Sequence, residues 1–237
     1  MLEIFEYNNF KSELQHVQSI RDPLVHTPNA IVVVSPDLIY FTNDHRYRTG
    51  ILRELETKLA RPWSDVVKVE IHRGTKNPSL EIVAENLIYA NGIAASADLV
   101  LVAAALDGQV HVYKRNKHGG LEKRNMIPVD FVVDNIFSAR NSIGHEFYLT
   151  GSPRPFEFEK QLYHPEHQSA IQVGRVSCDE SGRECNCAIV IRDDGSLISG
   201  ATTMVESRDK KKRFLVGVMA RKTVECNHLR VEPIFHE

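Results

Sequence analysis

No stretch of this 237-residue sequence approaches the roughly 20 apolar residues that a membrane-spanning helix needs. Charge of one sign is not in excess either. Lys and Arg total 29 against 31 Asp and Glu, a net charge of −2, so no global field draws the chain to nucleic acid or an anionic membrane. The opening residues, MLEIFEYNNF, have neither a basic leader nor an apolar segment behind it, which reads as no signal peptide. Serine catalysis lacks its G-x-S-x-G elbow. His145-Glu146 is not followed by the second histidine of a zinc H-E-x-x-H motif, and neither a phosphate-cradling glycine loop nor an EF-hand loop is found. The N-x-[ST] triplet Asn77-Pro78-Ser79 is disabled by its proline. Cysteine is scarce, at four residues. Cys178, Cys185 and Cys187 cluster, which fits one small disulfide loop or free thiols better than the paired spacing of a zinc site.

What is present is a soluble-type composition, 42% hydrophobic and 25% charged, with enough length to bury a substantial core. Most of the chain reads as short strands, from Leu2–Tyr7 through Val100–Ala103 and Ser196–Ser199 to Phe214–Met219, punctuated by Gly, Pro, Asn and Asp. One segment differs. Ile51, Leu52, Leu55 and Leu59 fall on one helical face, predicting a helix from about Gly50 to Ala60 that stops before Pro62. Such a helix packs its apolar face on a sheet, or serves as a lid or a membrane-touching element. The basic run RDKKKRF (208–214) lies between two strand patterns and reads as a solvated hairpin turn rather than a nuclear signal.

Four segments share one shape, a polar oxygen-bearing residue leading two apolar strands joined by a turn: PNAIVVVSPDLIYFTND (28–44), ANGIAASADLVLVAAA (90–105), VDNIFSARNSIGHEFYLTG (133–151) and CNCAIVIRDDGSLISGAT (185–202). Their leading Asn residues are Asn29, Asn91, Asn135 and Asn186. A repeat of roughly 40–50 residues built from short strands is a propeller-blade signature, the longest gap here containing the helix. In a propeller the first strand of each blade lines the central channel, so residues at its start converge on the axis. Asn and Asp are poor strand formers. Converging there, Asn29, Asn91, Asp134 and Asn135 offer amide and carboxylate oxygens to a hard cation, favouring Ca²⁺ over zinc or copper. The alternative is that each merely caps a turn.

The motifs NAIVVVSPDLIYFTNDH (29–45), ANGIAASADLVLVAAALDGQVHVYKR (90–115) and VDNI (133–136), with a looser DGSLISGATT…FLVGV…VEC, resemble the paraoxonase/arylesterase family, calcium-dependent six-bladed propellers that hydrolyse lactones and aryl esters. The resemblance runs along essentially the whole chain. It implies an all-β propeller of about four blades out of six, occupying residues 1–237, with a lid-like helix near residues 50–60. It implies that Asn29, Asn91, Asp134 and Asn135 match four ligands of the family's catalytic calcium. Asp44 and His45, in TNDH, match residues of the active-site wall. Cys226 matches a half-cystine that normally pairs with an N-terminal Cys.

The resemblance also carries departures. LEIFEY matches the family only from its third blade onward, so two blades are expected to be missing, and with them a glutamate calcium ligand, a histidine dyad and the partner of Cys226. Ala30 stands where the family has an aspartate on a structural calcium, and Ser152 where it has an active-site histidine. The sequence therefore leads to a calcium-dependent hydrolase of a small ester or lactone, impaired or inactive. A non-catalytic propeller scaffold is the alternative. Open sheet edges are expected to invite homo-association. Four side-chain ligands with one charge predict weak calcium binding, in the range of about 10⁻⁴–10⁻³ M. The family is often secreted or membrane-anchored.

Overall fold

A computed structural model describes residues 1–72, 78–139, 145–207, 212–217 and 222–226. Among these residues a two-stranded sheet pairs β1 (Leu2–Asn8) with β2 (Glu13–Ile20). Three four-stranded antiparallel meanders follow. The first is β3 (Pro28–Ser35), β4 (Leu38–Asn43), β5 (Ser64–Glu70) and β6 (Ser79–Leu87). The second is β7 (Ala90–Ser96), β8 (Leu99–Ala104), β9 (Gln109–Arg115) and β10 (Leu121–Pro128). The third is β11 (Val132–Ser138), β12 (His145–Ser152), β13 (Ile171–Cys178) and β14 (Cys185–Asp193). Three strands, β15 (Ala201–Glu206), β16 (Arg213–Gly217) and β17 (Lys222–Cys226), form the last sheet. Helix α1 (Ile51–Lys58) joins β4 to β5, and α2 (Pro155–Tyr163) joins β12 to β13.

The sheets stack face to face like propeller blades, and the sequence of β8 shows why. Side chains alternate across a strand. In LVLVAA, Leu99, Leu101 and Ala103 enter one buried cluster with Phe147, Leu149 and Val176 of the third meander. Val100 and Val102 enter another with Tyr40, Val66 and Leu87 of the first. A strand buried on both faces needs no polar alternation, so it reads as a continuous apolar run. The same division separates Tyr40 from Ile39 and Phe41 on β4, and Tyr148 from Phe147 and Leu149 on β12. Each fully buried Leu or Phe contributes about 1.5–3 kcal/mol. The core is thus a series of layers between successive blades.

Blade geometry also fixes the helices. The start of each inner strand pairs with the end of the second: Pro28 with Asn43, Ala90 with Ala104, Val132 with Ser152. Helices α1 and α2 leave from the ends of β4 and β12, so both stand at the mouth where the inner strands begin. Helix α1 matches the expected span, with one inversion. Its apolar side faces outward, with Ile51, Leu52, Leu55 and Leu59 at 72%, 49%, 43% and 54% exposure, while Glu56 is buried.

Several sequence expectations need correction. Asn186 lies on β14, the outermost strand of its blade, opposite Ser177; it leads no inner strand. The inner strand of the last sheet is β15. Ser196–Ser199 is not a strand. Asp193 Oδ1 accepts backbone N–H bonds from Gly195, Leu197 and Ile198 at 2.9, 3.3 and 3.2 Å, which folds the segment into a turn. Helix α2 and strands β2, β10, β13, β15 and β17 were not expected from the pattern. Cys178 and Cys185, directly opposed on β13 and β14, form the small disulfide, and Cys187 is a free thiol. Arg208–Lys211 of the basic run, Val218 and Met219 of the expected Phe214–Met219 strand, Asn77 and the Cys226 side chain lie outside what the structure describes. Among the described residues no helix is long and apolar enough to cross a membrane.

Candidate active site and cation-binding centre

The inner strands meet at their starts. At Gly92, just inside β7, an added Cβ would lie 2.6 Å from the Asp134 carbonyl oxygen and 2.7 Å from Asn135 Cα on β11. Glycine here lets two backbones touch, as close approach requires. The neighbouring blade is tied in by Thr42, whose Oγ1 donates to the Asn91 carbonyl at 2.7 Å and accepts from Ala30 N at 3.1 Å. On the other side Asn135 Nδ2 donates to Thr202 O of β15 at 3.0 Å. The structure thus brings Asn29, Asn91, Asp134 and Asn135 to one mouth, at the starts of three successive inner strands.

Their hydrogen bonds share a pattern. Two of the asparagines donate their NH₂ to the protein, Asn29 to Asp44 Oδ2 at 3.3 Å and Asn135 to Thr202 O at 3.0 Å, while the Asn91 amide favours the charged form of the Asp134 carboxyl. What remains on each is an amide oxygen. The buried Asn91 Oδ1 has no hydrogen-bond partner among the described residues, an expensive state for a carbonyl oxygen unless something electropositive faces it. Burial pushes the Asp134 carboxyl up to about 6, against a smaller lowering by the Asn91 amide. Three amide oxygens and one carboxylate fit a hard cation such as Ca²⁺.

Beside them lies a second group. His45 Nδ1 bonds Asp44 Oδ1 at 2.9 Å, its Nε2 lies 2.7 Å from Thr57 Oγ1 on α1, and its ring meets Tyr89 edge-on at 4.7 Å between centroids. His45 is 2% exposed. Arg53 of α1 reaches Asp44 at 3.3 and 3.4 Å. Burial pushes the Asp44 carboxyl up, but the His45 hydrogen bond, the charges of His45 and Arg53 and the Asn29 amide more than offset it. The carboxyl therefore sits below its ordinary value. Tyr89 feels both Asp44 and Asp134, and its hydroxyl is pushed up chiefly by burial. Its backbone has φ 58°, a left-handed conformation that is strained for a bulky side chain. Helix α1 is clamped by Glu56, which accepts from Arg46 N at 2.9 and 3.1 Å and from Tyr47 N at 3.3 Å.

Both groups were legible as residues in the sequence. Arg53, Thr57, Glu56 and Tyr89 were not, because nothing in their spacing says that the polar side of α1 faces the site. Ser152 is buried, 3.4 Å from Ser169 Oγ, and supplies no imidazole. Ala30 supplies no carboxylate. A cavity of about 550 Å³ lies at the other end of the third meander, beside the disulfide, and is lined by Asn125, Asp179 and Arg183.

Stacked antiparallel blades around an oxygen-rich mouth, with helix α1 beside it, define a β-propeller. The Arylesterase family model matches residues 1–228, and the chain belongs to that family. It is 28% identical to human serum paraoxonase/arylesterase 1 over 228 residues, which cover 95% of this chain and 60% of that protein. It is likewise 28% identical to bovine serum paraoxonase/arylesterase 2 over 227 residues, with the same coverage. The chain spans about 60% of the length of the curated relatives it matches. Among solved structures it resembles a Bacteroides fragilis NCTC 9343 protein assigned as a 6-phosphogluconolactonase, with TM-score 0.59 and 9% identity over 97% of this chain and 60% of that one. A similarly assigned protein from Bacteroides uniformis ATCC 8492 gives TM-score 0.56 and 12% identity over 94% and 59% of the two chains. At these identities the likeness is one of fold.

Proposed function

We propose that this chain belongs to a calcium-dependent hydrolase of lactones or aryl esters, with Asn29, Asn91, Asp134 and Asn135 holding the ion. The observation that carries the reading is the buried Asn91 Oδ1, left without a hydrogen-bond partner among the described residues, beside the half-buried Asp134 carboxyl and two asparagines whose NH₂ groups are tied down. A bound calcium would act as a Lewis acid on the ester carbonyl. The chain's own residues bind and orient. Asn91 favours the charged form of Asp134, Asn29 donates to Asp44, and Asp44 fixes the tautomer and ring orientation of His45. His45 is the imidazole these residues bring to the site, but its Nε2 faces Thr57. It can take a proton from water only when α1 moves away, so weak turnover is the expected state of these residues. Four protein oxygens fall short of the 6–8 that Ca²⁺ takes, leaving positions for water and substrate.

Thermal unfolding in millimolar calcium and in chelator tests the cation reading. At about 100 times Kd a ligand of the folded state adds ~2.7 kcal/mol, which for this length raises the melting temperature by roughly 5–10 °C. Asp134→Ala abolishes the rise. Hydrolysis of an aryl acetate and a δ-lactone, measured in parallel, should require calcium and fall at least 10-fold in His45→Gln. A cooperative melt indifferent to calcium, with no calcium-dependent hydrolysis, would instead favour a non-catalytic propeller scaffold.

A further inference from the structure

Beyond the inner-strand centre, a second ligand set stands at the same mouth. Helix α2 ends at Tyr163, and the turn that follows reads His164-Pro165-Glu166-His167. His164 N donates to Lys160 O at 2.9 Å, capping the helix, and His167 N donates back to His164 O at 2.9 Å, closing the turn. Pro165 fixes one φ inside it. The turn thereby gathers two imidazoles and a carboxylate: one ligand atom each from His164, Glu166 and His167 lies within 4.8 Å of the others. The His164 Nδ1 to Glu166 Oε1 distance is already 3.4 Å, and the two rings stand edge to face with centroids 5.6 Å apart.

We infer that His164, Glu166 and His167 form a binding site for a divalent transition-metal ion of the zinc, cobalt or copper class. The donor set decides the class. Calcium takes oxygen ligands, whereas paired imidazoles with one carboxylate suit borderline ions. Ligands bound at about 2.0–2.2 Å around a tetrahedral ion lie roughly 3.3 Å apart. The most widely spaced atoms must therefore close by up to about 1.5 Å, a side-chain rotation open to the exposed His164 and Glu166 without disturbing any core. Three protein ligands leave a fourth position for water or an incoming group. Because the turn follows β12 and α2, this site sits on the rim of the propeller face that carries Asp134 and His45, and it uses none of their residues.

The test is titration of the purified full chain with Co²⁺, read by its visible absorption, and with Zn²⁺ by calorimetry, both in excess calcium. One equivalent is expected to bind. His164→Ala and His167→Ala should each weaken binding at least 10-fold, Glu166→Gln should weaken it by roughly 10-fold, and the double histidine variant should abolish it. Asp134→Ala should leave it unchanged, which separates this site from the calcium reading. Binding that persists in the double variant would overturn the assignment, as would failure of the parent chain to bind either ion or displacement of the ion by calcium.

Discussion

Asp134 is the residue on which the cation reading turns, and its titration gives a prediction that needs no metal. Burial raises its folded-state value to about 6, above the ordinary 3.8. A carboxyl with a raised value contributes stability that is present below about 3.8 and is lost as pH rises through about 6. In chelator, the parent chain should therefore melt at a lower temperature at pH 7 than at pH 4.5 relative to Asp134→Asn. The difference between the two slopes should be on the order of 1–2 kcal/mol, since partial exposure reduces the full shift. Melting curves of the two proteins across that window check it, and parallel slopes would refute the burial of the charge. At the same scale, Cys187 is a free thiol, pushed up to about 11 by burial and the Asp130 charge. It should react with neutral thiol reagents far more slowly than an ordinary cysteine.

At the scale of elements, α1 is held by its polar side. A leucine face at helical spacing was legible from the sequence, and so was the span of the helix. Its orientation was not, because periodicity reports that two faces differ and not what each one meets. The ground beneath α1 is the Asp44–His45 pair and not a sheet, so Glu56, Thr57 and Arg53 point inward and the leucines outward. Glu56→Ala would leave the backbone N–H groups of Arg46 and Tyr47 without their acceptor, a loss of about 1–3 kcal/mol. The expected outcome is limited proteolysis within residues 46–61 accelerated several-fold while the rest of the chain stays protected. Cleavage at the parent rate would show that Glu56 does not hold the helix. The same logic explains the other mismatches. β8 was legible because a strand buried on both faces is apolar throughout. β15 was not, because Thr202 and Thr203 dilute the apolar run in ATTMVE. Helix α2 was missed because its Phe156 is 84% exposed and supplies no buried stripe. Asn186 fitted the repeat by its place before an apolar strand, yet four strands per blade make that strand the outermost.

At the scale of the whole molecule, the centre exists because successive blades touch at their inner strands, and one glycine tests that contact. Gly92 faces the Asp134 carbonyl oxygen, Asn135 Cα and Ile136 N across the boundary between the second and third meanders. All three neighbours are backbone, so no side chain can swing aside for a Cβ at 2.6–2.7 Å. Gly92→Ala must push β7 away from β11, loosening the packed layer of Leu101, Phe147 and Leu149 and separating Asn91 from Asp134. Overpacking in a dense interior destabilises by about 1–3 kcal/mol, and the rigid obstacle here favours the upper end. The variant should melt lower by several degrees and should lose most of its response to calcium. A substitution remote from this boundary, such as Leu80→Ala in the layer between the β1–β2 sheet and the first meander, should lower stability while keeping that response. Comparison of the two calcium-dependent shifts then separates loss of convergence from loss of stability. If Gly92→Ala kept the full calcium shift, the ligand oxygens would have to be held by their own strands rather than by contact between blades.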